Sequence, residues 1–208
     1  MATRPKETWR SRLSAPVWSV LAYSALTLLA FAVGFVRGAS PLERTPWLPT
    51  TGLEASLASL VLGLALAALT LLATRALGTR AAWARALQSE LEPIVSGLGG
   101  RDLAVMAIAS GLGEEVFFRG LLSPWVGVIV SSLAFGAVHQ VRGKGRLGWM
   151  ASAAAFGLAL ALVFGATGSL LGPVVGHTLV NWVNLRGMRA RGSAAPAAPR
   201  KLGGLLRR

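Results

Sequence analysis

The chain has no cysteine, which excludes disulfides, thiolate nucleophiles and cysteine metal sites. Charge is scarce. Asp, Glu, Lys and Arg make up 14% of the residues, against roughly 25% in a soluble domain. Acid is scarcest, with eight Asp plus Glu against 21 Lys plus Arg, and there are two histidines. The chain contains no HExxH string, so the usual paired-histidine zinc helix is missing. No recognisable nucleic-acid-binding motif accompanies the net charge of +13, so that charge is not read as a nucleic-acid surface. No internal repeat is visible.

Apolar residues fill the space: 53% of the chain is hydrophobic and the mean hydropathy is +0.58. A helix needs about 20 such residues to cross a bilayer core. Residues 17–36 and 55–74 are uncharged runs of that length. A third run, 103–118, is interrupted by Glu114 and Glu115, and a fourth, 120–138, carries Pro124 near its start, where proline is tolerated. Residues 147–185 are too long for one crossing. Gly165, Gly168 and Gly172-Pro173 break the run, which predicts spans near 147–164 and 170–185. The first run exceeds the apolar region of a typical signal peptide and no clear small-residue cleavage site follows it, so a retained helix is expected.

Basic residues gather between these runs. Four precede residue 17, four lie in 75–101, three in 142–146 and seven from Arg186 onward. These eighteen fall on one side of an alternating topology. Two, Arg37 and Arg44, fall on the other, and Arg119 lies within or beside the membrane. By the positive-inside rule both termini are cytoplasmic. The expected fold is therefore all-α, a polytopic transmembrane bundle of about six spans. A basic segment at 1–16 leads into two N-terminal helices at 17–74. A cytoplasmic interfacial segment at 75–101 follows, then a four-helix core at 102–186 and a disordered basic tail at 187–208.

Ionisable groups inside a membrane are costly and usually face a partner or a watery cavity. Of the eight acids only Glu114 and Glu115 lie deep in an apolar run, and both histidines lie in or at the end of one. In GEEVFFRG the two glutamates point about 100° apart on a helix, so they cannot share a task. Glu115 and Arg119 are four apart with the acid first, the favourable order for an ion pair. That leaves Glu114 facing a cavity, a desolvated carboxylate suited to a general base; a purely structural ion network is the alternative. Phe135 and His139 are four apart in LAFGAVHQ, and the spacing alone gives His139 no duty beyond an interfacial hydrogen bond. His177 and Asn181, four apart in GHTLVNW, share a helix face. Together they offer donors to a developing oxyanion, or else interhelical polar packing.

In order, EExxxR, FxxxH and HxxxN on separate apolar spans resemble the CPBP family, the CAAX-protease and bacteriocin-processing intramembrane peptidases, which include the type II CAAX prenyl endopeptidases. The resemblance covers about 113–181. It implies that Glu114 and His139 activate a water, that His177 and Asn181 form the oxyanion site, and that Glu115, Arg119 and Phe135 support them. One departure stands out: only fifteen residues separate Arg119 from Phe135. In a simple hairpin turning near Ser123, Glu114 lies about 13 Å from the turn and His139 about 24 Å. A fourth helix that is tilted, or broken at Gly127, closes that gap.

The resemblance favours a metal-free glutamic mechanism with no cofactor. A zinc ion on Glu114, His139 and His177 is the alternative, a two-histidine, one-carboxylate set with an open position. The expected function is an endopeptidase acting on a membrane-associated or membrane-anchored peptide, in a bacterial plasma membrane, with the lipid bilayer as its surroundings and no nucleic-acid partner. The competing readings are a non-catalytic immunity or peptide-binding protein of the same fold and a proton-coupled transporter carrying on Glu114, the latter disfavoured by the missing inverted repeats.

Overall fold

The computed structural model describes residues 15–42 and 44–194. The expected basic N-terminal segment, apart from Ala15 and Pro16, and the tail from 195 on lie outside them. Helices are the regular elements of the described residues, which hold no strand. The helices are α1 (Ala15–Arg37), α2 (Gly52–Arg80), α3 (Ala82–Ser96), α4 (Gly100–Glu114), a π-helical segment (Glu115–Leu122), α5 (Ser123–Val126), α6 (Val128–Val138), α7 (Arg146–Thr167) and α8 (Leu171–Ala194).

Three of these, α1 from Pro16, α2 and α7, are long and apolar enough to cross a membrane. Their outward faces are bare hydrocarbon: Phe35 is 89% exposed and Val36 84%, with Leu28, Leu53, Leu69 and Leu147 similarly uncovered. Apolar surface on that scale belongs against lipid or a partner rather than water. The expected crossing at 120–138 is divided differently. α4, the π-helical segment and α5 run without a break from Gly100 to Val126. The chain reverses at Gly127 (φ 84°, ψ 159°), a backbone conformation that a Cβ disfavours. α6 is then eleven residues, about 16 Å, short of the roughly 30 Å hydrocarbon core.

That break corrects the expected turn at Ser123. Counted from Gly127, Glu114 is thirteen residues back and His139 twelve residues on, so both lie about 18–20 Å from the reversal. The wide π turns have a local cause. Pro124 has no N–H to give, and its ring crowds the carbonyl four residues back. The Ser123 N–H reaches Phe118 O instead, five residues back, and Ser131 Oγ on α6 donates to the same carbonyl at 2.8 Å.

α8 is the central helix, packed on α2, α4 and α3. Its contact with α2 is made of small residues. On α2, Ser59, Gly63 and Ala67 are buried at four-residue spacing. A Cβ on Gly63 or Gly172 would collide with the other helix's backbone. Ser59 Oγ donates to Ser169 O at 2.8 Å and accepts from the Gly172 N–H at 3.0 Å. Close approach through small residues is the usual way helices associate in lipid. The expected breaks at Gly165 and at Gly172-Pro173 are helical; Gly168 alone (φ 69°) ends α7, and Pro173 sits in the first turn of α8, where its missing N–H is harmless.

The C-terminal boundary also differs from expectation. α8 continues past Arg186 to Ala194, because α3 supplies a surface for it. Arg191 Nε donates to Glu92 Oε1 at 3.0 Å, and Gly192 packs on Ser96. The expected disordered tail therefore does not begin at 187. Likewise α2 runs on to Arg80, breaking at the extended Ala81, so the interfacial segment is the separate helix α3 rather than all of 75–101.

Candidate active site

α4 and α8 lie side by side with two matched rungs, each pair four residues apart on its own helix. Asn181 Nδ2 donates to Ser110 Oγ at 2.9 Å, and one turn along His177 Nε2 lies 3.6 Å from Glu114 Oε2. Gly111 permits the approach, since a Cβ there would strike Thr178. The residue that caps the C-terminus of α6 comes to the same spot: His139 Nε2 is 3.7 Å from Glu114 Oε2. Glu114 is 6% exposed, and its Oε2 has no hydrogen-bond partner among the described residues.

Behind this trio stands a second layer. Glu115 is fully buried and its Oε1 takes two partners, Arg119 Nη1 at 3.1 Å and His177 Nδ1 at 2.7 Å. Spacing along the helix points to the arginine but not to the histidine, 62 residues away. Arg119 Nη2 also donates to Gly157 O at 3.0 Å. Gly157 has to be glycine for this, because a Cβ there would sit 2.9 Å from that nitrogen and 2.8 Å from the Phe135 ring. Phe135 is the apolar floor. Its ring centroid lies 4.3 Å from the Arg119 guanidinium and 4.3 Å from the His139 ring, and it meets Phe118 and His177 edge-on. Phe156 and Trp149 close the sides against His177 and His139.

These contacts decide the tautomers. His139 Nδ1 is 2.7 Å from Phe135 O, and a carbonyl only accepts, so Nδ1 carries the hydrogen. His177 Nδ1 faces a carboxylate oxygen and donates likewise. In their neutral forms both rings therefore turn an Nε2 lone pair towards Glu114 Oε2. The result is a buried pocket of three converging acceptors. The two hydrogens of one water can reach two of these three acceptors at once. Among the described residues no group of three His, Asp or Glu side chains is arranged to hold a metal ion.

One neighbour escaped the motif reading. Tyr23 of α1 lies against Gly113, the residue before Glu114. It is the chain's one tyrosine, and a lone phenol in the middle of an apolar helix was the available signal.

The fold and this cluster define an all-helical protein of membrane character with a buried Glu–His–His centre braced by a second glutamate and an arginine. Residues 101–183 match the family described as type II CAAX prenyl endopeptidase Rce1-like, a match that supports the CPBP, or CAAX-protease, family for this part of the chain. The match opens at the start of α4 and closes just beyond Asn181, so it holds Glu114, Glu115, Arg119, Phe135, His139, His177 and Asn181 but none of α1–α3. That family is a family of membrane-embedded proteases. No curated protein and no solved structure matches the chain.

Proposed function

We propose that the protein is a multi-pass intramembrane endopeptidase of the glutamic type. The observation that carries this reading is the convergence of His139 Nε2 and His177 Nε2 on the unpartnered Glu114 Oε2 at 3.7 and 3.6 Å. A water between them donates one hydrogen to Glu114 and the other to His139. Glu114 takes the first proton as the water oxygen attacks the peptide carbonyl, and later returns it to the leaving amine. His177 serves the oxyanion. With Nδ1–H given to Glu115, its Nε2 donates only as the doubly protonated ring. Asn181 Nδ2, now turned to Ser110 Oγ, is the second donor after a small rotation.

In this reading the chain crosses a bacterial plasma membrane six times with both ends in the cytoplasm. The charge distribution supports that topology. α6 then forms a short sixth element beside the five longer ones, and the substrate is a membrane-associated or membrane-anchored peptide. No metal takes part. The rival is a zinc ion held by the same three side chains, which would supply Lewis-acid activation of the water. The test is scission of a membrane-anchored peptide library by the detergent-purified protein, read by mass spectrometry before and after exhaustive chelation. The glutamic reading predicts unchanged cleavage. Loss on chelation with recovery in zinc would establish the metal instead, and no cleavage product in any condition would remove the peptidase reading.

A further inference from the structure

We propose that Ser110 of α4 is a positioning residue for Asn181. Its hydroxyl oxygen takes one hydrogen of the Asn181 amide, which fixes the amide's orientation and leaves the other hydrogen for the oxyanion. The proposal rests on the oxyanion role given to Asn181 above. Ser110 belongs to none of the three motifs read from the sequence.

Ser110 carries the one polar side chain in the run 103–113, and it is buried. One helical turn separates it from Glu114, so the two share a face of α4, as Asn181 and His177 share a face of α8. The direction of the Ser110–Asn181 bond follows from a second contact. Ser110 Oγ donates to Ala107 O at 3.2 Å, three residues back on its own helix. A hydroxyl has one hydrogen and two lone pairs, so towards α8 Ser110 only accepts. An asparagine amide offers hydrogens from Nδ2 and lone pairs from Oδ1, and an acceptor selects the nitrogen, which lies 2.9 Å away. With the amide turned over, Oδ1 would meet the serine oxygen lone pair to lone pair. Nδ2 carries two hydrogens and Ser110 takes one. The small rotation that offers the second to an oxyanion pivots on the first. Interhelical packing alone predicts that removing the hydroxyl loosens the α4–α8 contact, with no effect routed through Asn181. The positioning role predicts a loss of rate that needs Asn181 to be present.

The chain has two asparagines, Asn181 and Asn184. Feeding asparagine labelled with ¹⁵N in the side chain therefore gives two amide signals in an NMR spectrum of the detergent-purified full-length protein. Asn181→Ala assigns one of them by its loss, and Asn184, which faces Thr74 on α2, is the internal control. Ser110→Ala removes the hydroxyl while keeping a good helix former at that position. We expect Ser110→Ala to move the Asn181 signal and leave the Asn184 signal in place. In the peptide assay it should lower kcat about tenfold with KM unchanged, the scale of one hydrogen bond. In an Asn181→Ala background the same change should cost nothing further. An Asn181 signal that Ser110→Ala leaves unmoved would overturn the contact. An unchanged kcat, or an equal loss of rate in both backgrounds, would overturn the positioning role. A moved signal in a protein that cleaves nothing would support the contact and remove the peptidase reading, and the oxyanion role with it.

Discussion

Glu115, not Glu114, is the carboxylate held by close partners. One of its oxygens joins Arg119 and His177, so removing the arginine strands a carboxylate with no exposed surface. Breaking a buried pair from one side costs about 3–5 kcal/mol. Arg119→Ala should therefore accumulate poorly and melt well below the unaltered protein in a detergent thermal-unfolding assay; equal stability would show that the pair is not the brace described. Glu114→Gln keeps shape and should fold normally while losing cleavage almost entirely, with His139→Ala close to it. Asn181→Ala should retain more, a loss of about 10²–10³ in rate for one oxyanion donor. An Asn181→Ala enzyme more impaired than Glu114→Gln would reverse the roles. The pairing of Glu115 with Arg119 could be read from four-residue spacing, because a helix converts that spacing into proximity. The bond from Glu115 to His177 could not, because it joins residues brought together only by helix packing.

At the scale of elements, the decisive feature is where the rod from α4 to α5 stops. Proline and serine at 123–124 read as a turn, yet the π-helical segment carries the helix through them. The reversal comes at Gly127, where φ is 84°. This levels Glu114 with His139 and explains how so short a link between Arg119 and Phe135 suffices. Gly127→Ala places a Cβ in a region open almost only to glycine and should cost about 1–3 kcal/mol. Because it also displaces α6, activity should fall with stability, as thermal unfolding and peptide scission on the same preparation would show. A stable, fully active Gly127→Ala protein would contradict the level-setting role. The small-residue seam of Ser59, Gly63 and Ala67 against α8 escaped the sequence reading, which saw 55–74 only as an apolar run. Gly172-Pro173 read as a break, although the first turn of a helix can hold both residues.

For the molecule as a whole, three helices long and apolar enough to cross, with bare aliphatic faces, bear out the membrane class read from composition. The further crossings and their direction rest on charge, which local structure does not report. Reporter fusions after residue 45 should read outside and after residue 145 inside, and the opposite at either point would refute the six-pass topology. The extension of α8 to Ala194 shows why composition misjudged the C-terminal boundary: Arg, Ala and Gly are poor in apolar surface, but α3 offers Glu92 and Ser96 as partners. The central claim is that Glu114 activates a water for peptide hydrolysis. It is tested most directly by running the scission reaction in ¹⁸O-water with the unaltered protein and Glu114→Gln side by side. The account predicts one ¹⁸O in the newly formed carboxylate from the unaltered protein and no product from Glu114→Gln. Labelled product from Glu114→Gln at the unaltered rate would contradict it.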